Sequence, residues 1–380
     1  MDLYSRHVRT FRILNSFLRP FTALKFHETA EEPQVDAPML LIANHACAWD
    51  PLLVAVGLRN RQVYYVASEH LFRQGAVSKL INALVAPIPR RKASTGTDTV
   101  KACLRHLQAG HSVCLFAEGE QTWNGRSNPI FPATGKLAKL SGATLVTYRL
   151  EGNYLSLPRW GKGVRRGRVS GHTVGIYPPE KLKAMSPKEI DELIQRDITE
   201  DAWQRQRENP VRFRGKRRAE GMERALYLCP RCRRIGSLKT KDNRIFCVCG
   251  LDLEYTETGF FRPETPFPTL ADWDDWQQEQ LHARAFCRPD AEGPLFTDGG
   301  VSLYRVGSGH REEFLGSGGL LLYEDRLVCA DRCFPLADTR GMADVLANRL
   351  LFVCGDEYYE IRSGSAGVNL RKYLEVWKEH

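Results

Sequence analysis

The run Met39-Leu40-Leu41-Ile42-Ala43 is apolar at every position and leads straight into Asn44-His45-Ala46-Cys47-Ala48-Trp49-Asp50. Such a run reads as a buried strand, the kind found at the centre of an α/β sheet flanked by helices. Asp50 followed by Pro51 reads as an N-cap with proline at the first helical position. His45 is therefore expected in the loop at the C-terminal end of a strand, with Asp50 closing the loop. A neutral imidazole with a carboxylate on its far nitrogen is what a general base needs near neutral pH. The plainer alternative is a cap and an ordinary loop histidine.

Two further strand ends bear on that choice. Cys114-Leu115-Phe116-Ala117-Glu118-Gly119-Glu120 is again apolar and ends in a carboxylate and a glycine, while Ala86-Pro87-Ile88-Pro89 runs into Arg90-Arg91-Lys92. Open α/β sheets bind ligands at the carboxyl ends of their strands. A base, a cation cluster and a carboxylate-glycine turn at successive strand ends thus point to one site.

Together these blocks resemble the glycerolipid acyltransferase family, the lysophosphatidate acyltransferases and their relatives. The family's N-H-x4-D block matches Asn44, His45 and Asp50. Its arginine block matches Ile88-Pro89-Arg90, and its F-P-E-G block matches Phe116-Ala117-Glu118-Gly119. A last block of V-P-V character is matched weakly by Leu145-Val146-Thr147-Tyr148. The resemblance covers about residues 10–205. It implies direct transfer of a fatty acyl group from a thioester, either acyl-CoA or an acyl carrier protein, to a hydroxyl of a lysophospholipid or glycerol phosphate. His45 would be the base, Asp50 would orient it, and backbone N–H groups would stabilise the oxyanion. Arg90 would hold a phosphate of the acceptor, and Glu118 with Gly119 would shape its pocket. Cys47 is a candidate nucleophile inside the motif, or a small buried filler.

Two positions depart from the family. Glu120-Gln121 stand where Thr-Arg is usual, so one cation is lost and one anion gained, and Thr147 stands where proline is usual. Arg91, Lys136 or Arg149 could supply the missing charge. Two rival readings follow: a non-catalytic lipid-binding or scaffold protein on a degenerate acyltransferase fold, and an acyltransferase acting on a non-glycerol lipid.

With 380 residues, 43% of them hydrophobic, the chain is long enough for two or three domains. No apolar stretch reaches about 18 residues, so no transmembrane helix is expected, and no secretory signal is seen. The 11 cysteines then suggest a reducing cytoplasm. Residues 1–228 carry a net charge of +14 and residues 229–380 a net −5. A basic catalytic half suits a phospholipid surface, coenzyme A or an acidic carrier protein.

Phe11, Leu14, Phe17, Leu18, Phe21 and Leu24 recur at helical spacing among Arg6, Arg9, Arg12 and Arg19. Residues 1–27 are expected to form an amphipathic helix, lying at a membrane interface or packed on the core, and broken or kinked at Pro20. The expected location is the cytoplasm, at the inner face of the membrane. The acyltransferase domain is expected over residues 28–210. It holds a basic loop from Arg159 to Arg168 and a closing helix over residues 187–207, whose Asp197, Glu200 and Asp201 read as exposed charge. A solvated basic linker follows over residues 211–226.

Cys229-Pro230-Arg231-Cys232 and Cys247-Val248-Cys249 enclose 14 residues with a turn at Lys241-Asp242-Asn243. Cys229, Cys232, Cys247 and Cys249 read as a zinc ribbon over residues 227–256, although the second pair is C-x-C rather than C-x-x-C. Four thiolates leave no open position, so the zinc is expected to be structural, with free thiols as the alternative. No nucleic acid is expected, because acids follow the cysteines at once and aromatic-basic interleaving is thin. Residues 257–292 read as a connector with a helix. Residues 293–380 read as short strands and one last helix, from about residue 368 to 377, a pattern that resembles a pleckstrin-homology (PH)-like barrel. Cys329, Cys333 and Cys354 are expected in its core.

Overall fold

The apolar run before Asn44 is β2 (Met39–Ala43), buried at every position, and β5 (Ser112–Phe116) beside it is equally buried. Apolar side chains on both faces of a strand need cover on both sides, and helices supply it. The computed structural model describes residues 3–35, 38–59, 61–73, 76–90, 96–286, 293–307, 311–364 and 368–378. Two compact units divide the chain near residue 215, with residues 160–162 grouped with the second.

The first unit is built on a seven-stranded sheet of order β1-β7-β6-β2-β5-β3-β4. Its other strands are β1 (Glu28–Ala30), β3 (Val63–Ser68), β4 (Ile88–Arg90), β6 (Thr144–Glu151) and β7 (Val169–Tyr177). β6, β2, β5, β3 and β4 run parallel, whereas β7 is antiparallel to β6. Ala43 pairs with both Phe116 and Tyr148, so β2 and β5 end level and β6 runs on beside them to Glu151. Residues just beyond β2, β5 and β6 must therefore meet on one edge, and the C-terminus of β4 ends on the same side.

The helices are α1 (Leu3–Phe26), α2 (Asp50–Gly57), α3 (Ala76–Val85), α4 (Thr97–Gln108), α5 (Thr134–Ser141), α6 (Asn153–Ser156), α7 (Pro179–Ala184), α8 (Pro187–Ile198) and α9 (Ala202–Glu208). α1 continues through Pro20 rather than ending there. Its inward positions include His7, Asn15 and Thr22, which are polar, while Ile13, Phe17 and Leu24 face solvent. None of the described helices is long and apolar enough to cross a membrane.

The helix expected over residues 187–207 is two helices. α8 opens with a Ser186–Glu189 capping box, and α9 is capped anew by the Asp201 carboxylate, which accepts from Trp203 N and Gln204 N. Asp197 and Glu200 are also buried rather than exposed. Asp197 accepts from the hydroxyls of Thr147 at 2.8 Å and Tyr177 at 2.6 Å, and Glu200 pairs with Arg205. The family's proline would have no hydroxyl to offer at position 147.

Residues 211–226 divide at the boundary between the units: Arg212, Arg214, Lys216 and Arg217 are exposed, as expected of a solvated basic run, whereas the stretch from Arg218 is packed. Arg214 and Arg166 exchange two backbone hydrogen bonds of 2.7 Å within the first unit. In the second unit Ala219, Met222, Ala225 and Leu226 are wholly buried, and Arg218 donates to the Tyr255 carbonyl.

The second unit holds an antiparallel four-stranded sheet of β8 (Leu238–Lys241), β9 (Arg244–Cys247), β10 (Asp252–Tyr255) and β11 (Phe261–Arg262). α10 (Leu270–Phe286) follows in the segment read as a connector. It is a core element: Trp273 and Gln277 are wholly buried, and Gln277 binds the backbone at Tyr227 and Ala225. A second sheet comprises β12 (Phe296–Val306), β13 (Glu312–Leu322), β14 (Arg326–Cys329), β15 (Arg332–Pro335), β16 (Thr339–Val345), β17 (Arg349–Cys354) and β18 (Glu357–Ser363). Its order is β15-β14-β13-β12-β18-β17-β16, antiparallel throughout, and α11 (Arg371–Trp377) packs on it. Cys329 lies in this core, but Cys354 is half-buried and Cys333 is exposed, because on β15 the inward position belongs to Phe334.

Candidate active site and a four-thiol cluster

Asp50 is the first residue of α2, yet its carboxylate does not cap that helix. It turns back over its own loop. Oδ2 accepts from Ala46 N at 2.6 Å, Cys47 N at 2.9 Å and His45 Nδ1 at 2.9 Å. Oδ1 accepts from the Cys47 thiol at 3.0 Å and from Asn153 Nδ2 at 2.8 Å. The carboxylate is wholly buried, so these donors replace its water. With Nδ1 bound to Asp50, the imidazole keeps the proton there and leaves Nε2 as the basic nitrogen. The ring stacks on Phe116 with centroids 4.5 Å apart. Cys47 is wholly buried, and burial together with Asp50 pushes its thiol far above the ordinary range, so it is the filler and not a nucleophile.

Glu118 ties the neighbouring loops together. Oε1 accepts from His45 N at 2.7 Å and Oε2 from Asn128 N at 2.6 Å. Burial pushes its carboxyl up to about 8, against the pull of those two donors, which favour the anion. Asn44 makes the matching tie on the other side. Its amide donates to Leu150 O at 2.9 Å and accepts from Leu150 N at 2.7 Å, fastening the end of β2 to β6. A small cavity of about 10 Å³, room for roughly one water, lies among Asn44, His45, Thr122, Ser127, Asn153 and Glu200.

Arg90, at the end of β4, lies over the Phe131 ring, its guanidinium carbon 3.8 Å from the centroid. Burial draws its pKa downward. Gly119 has φ +73° and meets the edge of the same ring: a Cβ there would lie 1.8 Å from a Phe131 carbon. Arg90 on the face and Gly119 at the edge therefore both pack on Phe131, and only glycine fits beside that edge.

Glu120 and Gln121 are both met by Arg159. Its Nη1 donates to Gln121 O at 3.1 Å and reaches Glu120 Oε2 at 3.4 Å, and the guanidinium lies over Trp123. A cation thus returns to the position where the family's arginine is missing. Arg149 is committed elsewhere, its fork closed on Asp197 O at 3.0 and 2.7 Å. Lys136 is exposed on α5 and enters none of these contacts. Arg91 lies outside the described residues.

The structure therefore gathers His45, Asp50, Glu118 and Gly119 with Asn44 and with Arg159, expected only as part of a basic loop near the pocket or docking a carrier, and adds Asn153, Asn128 and Phe131, which sequence reasoning missed. Gly152-Asn153 at the end of a strand was the signal available for Asn153; nothing local marks the others.

In the second unit the sulfurs of Cys229, Cys232, Cys247 and Cys249 lie within 4.8 Å of one another. Cys229 and Cys249 are 3.6 Å apart, Cys232 and Cys247 3.7 Å. A tetrahedral zinc with Zn–S bonds of about 2.3 Å has sulfur edges of ~3.8 Å. Gly250, at φ +89°, bends the chain so that its N–H reaches Cys247 O at 3.0 Å.

Among known proteins, residues 24–151 match the family model described as Acyltransferase. A chloroplastic 1-acyl-sn-glycerol-3-phosphate acyltransferase of Brassica napus is 22% identical over 147 residues, which is 38% of this chain and 42% of that protein. The chain thus spans less than half the length of that relative. The crystal structure of a 1-acyl-sn-glycerophosphate acyltransferase from Thermotoga maritima is similar at a TM-score of 0.41 and 17% identity, covering 50% of this chain and 78% of that one.

The Gly119–Phe131 contact is directly testable. Gly119→Ala should destabilise the protein by about 1–3 kcal/mol, through positive-φ strain and displacement of Phe131. Denaturant unfolding measures this, and an unchanged midpoint would mean that the contact is not tight.

Proposed function

We propose, from the match of residues 24–151 to the Acyltransferase family model, that the protein is an O-acyltransferase of the glycerolipid acyltransferase family. It moves a fatty acyl group from a thioester, acyl-CoA or acyl carrier protein, to a hydroxyl of a lysophospholipid or glycerol phosphate. The observation that carries this reading is the 2.9 Å contact between His45 Nδ1 and a wholly buried Asp50. His45 Nε2 takes the proton of the acceptor hydroxyl as its oxygen attacks the thioester carbonyl. The tetrahedral intermediate then collapses, the C–S bond breaks, and the departing thiolate receives that proton from the imidazolium. The positive charge formed on His45 is stabilised by Asp50. No covalent enzyme intermediate is needed, in keeping with the inert Cys47.

Arg90, with Gly119 and Phe131 behind it, holds the acceptor's phosphate, since guanidinium pairs well with phosphate. Glu118 shapes the pocket by joining the His45 and Asn128 loops. Arg159 answers the carboxylate of Glu120.

Labelled acyl thioester supplied with a panel of acceptors tests the assignment. His45→Ala should lower turnover by about 10²–10⁴-fold with the fold intact. Arg90→Ala should raise KM for the acceptor and leave that for the donor nearly unchanged. Wild-type-like turnover in folded His45→Ala would remove the mechanism.

α1 supports a membrane-surface location at the cytoplasmic face. Phe17 is 72% exposed and Leu24 69%, on a stripe with Ile13 and Phe21 and among Arg9, Arg12 and Arg19. That combination suits an interface with anionic lipid. Phe17→Glu with Leu24→Glu should abolish co-flotation with anionic vesicles and leave unfolding unchanged; retained flotation would count against this face.

In the second unit, the four thiols and their spacing support a structural zinc ribbon, and seven antiparallel strands closed by α11 support the PH-like reading of residues 293–380. Metal analysis of chelator-free protein should give one zinc per chain. Cys229→Ser should release it and loosen the segment before turnover is affected. Metal-free protein with unchanged stability would argue for plain thiols.

A further inference from the structure

The contacts of Asp50 come from its own loop with one exception. Ala46, Cys47 and His45 lie within five residues of it, whereas Asn153 reaches it from 103 residues away, at the end of a different strand. Asn153 is itself 1% exposed. Its placement follows from the backbone. Gly152 takes φ +76°, and a Cβ there would lie 2.4 Å from Arg168 O, so the chain can turn from β6 directly into α6 only through glycine. Ser156 N and Leu157 N bond back to Gly152 O and Asn153 O, closing the turn that starts with Asn153. Asn44 holds the end of β2 to Leu150, which fixes the spacing between the His45 loop and this turn.

We infer that Asn153 is a positioning residue for the His45–Asp50 pair, an inference that rests on the acyl-transfer reading above. A carboxylate can rotate about its Cβ–Cγ bond and offer either oxygen to the imidazole. Asn153 holds Oδ1 from outside the loop, so Oδ2 stays on His45 Nδ1. An amide N–H₂ is the right group for this. It donates at every pH, carries no charge to compete with the imidazole, and can never become an acceptor toward Asp50 at that nitrogen. It also supports the ionised Asp50 in a buried site. The tautomer that leaves Nε2 basic then depends on a residue that does not touch the substrate.

Asn153→Asp gives the most informative test. The titratable groups around Asp50 and position 153 are His45 and the Cys47 thiol in the loop, Glu118 just beyond β5, and Glu200, which shares a small cavity with His45 and Asn153 and is paired with Arg205. An added carboxyl beside Asp50 can donate only while protonated and repels Asp50 once ionised. Relative to wild type, kcat of Asn153→Asp should therefore fall by tenfold or more from pH 6 to pH 8.5. Asn153→Ala should lower kcat by about 10–100-fold, the size of one hydrogen bond to a charged group, with KM for lysophosphatidate and acyl-CoA within about twofold. ¹⁵N spectra of histidine-labelled full-length protein, with His45 assigned by comparison with His45→Gln, read the tautomer without turnover. The Nδ1-protonated form should dominate in wild type and give way to a mixture in Asn153→Ala.

A constant Asn153→Asp to wild-type ratio across pH would overturn the inference. So would wild-type His45 signals in Asn153→Ala. If Asn153→Ala does not fold, the pH ratio of Asn153→Asp decides. If wild-type protein turns over none of the acceptors, the acyl-transfer reading fails by itself, and the tautomer spectra still decide the role of Asn153.

Discussion

A carboxylate with no contact to water organises the first unit. Burying an ionised Asp50 costs several kcal/mol unless donors replace its hydration, and the surrounding chain is arranged to provide them. The loop from Asn44 to Asp50 folds so that two of its N–H groups, its thiol and its imidazole all point at one side chain. That demand explains why α2 starts without a side-chain cap: the residue that would have served is turned the other way. It also explains the glycine turn after β6, which brings in a donor the loop cannot supply.

Legibility in the sequence follows the range of each contact. His45 and Asp50 are five residues apart, and their loop is announced by the apolar run before it, so both were readable. Glu118 and Gly119 were readable as a strand end, but not the contacts that give them a role. Asn128 meets Glu118 across ten residues of irregular loop, and Phe131 meets Gly119 through ring packing. Arg159 lies 39 residues from Glu120 in a basic stretch where nothing distinguishes one arginine from the next. Asp197 and Glu200 were misread for a related reason. Charge on the polar side of a helix is normally solvated, and only tertiary partners, the Thr147 and Tyr177 hydroxyls and Arg205, make these two exceptions.

The same limit applies to the second unit. The cysteine spacing was visible as a pattern, and the four sulfurs do converge. The preceding basic run looked like a linker because cations usually stay in water. In the fold, the charges of Arg217 and Arg218 are met by Glu220 and by the Tyr255 carbonyl, and the residues between them and the cysteines are core. α10 likewise gave weak periodicity, because its inward face mixes tryptophan with Gln277 and Asp274. Asp274 holds the buried Arg371 of α11 at 2.8 Å.

α1 buries Phe11 and Phe26 in the core of the first unit and adds directional contacts to them. His7 Nδ1 meets the Tyr64 hydroxyl at 3.0 Å, and Asn15 donates to the carbonyls of Ala55 and Arg59. Greasy packing tolerates a helix rolling about its axis, because one methyl substitutes for another at little cost. A hydrogen bond does not tolerate it, since a roll of one residue's angle carries the donor away from its acceptor. The polar latch therefore acts as a compass needle: it sets the azimuth of the helix, and with it the direction in which Phe17 and Leu24 point. Phe21 on that helix stacks on Trp49, inside the loop that carries His45 and Asp50. Whatever the outer face of α1 rests on, the heading of the edge that carries His45 relative to that surface is set by two polar side chains, His7 and Asn15, on its hidden side.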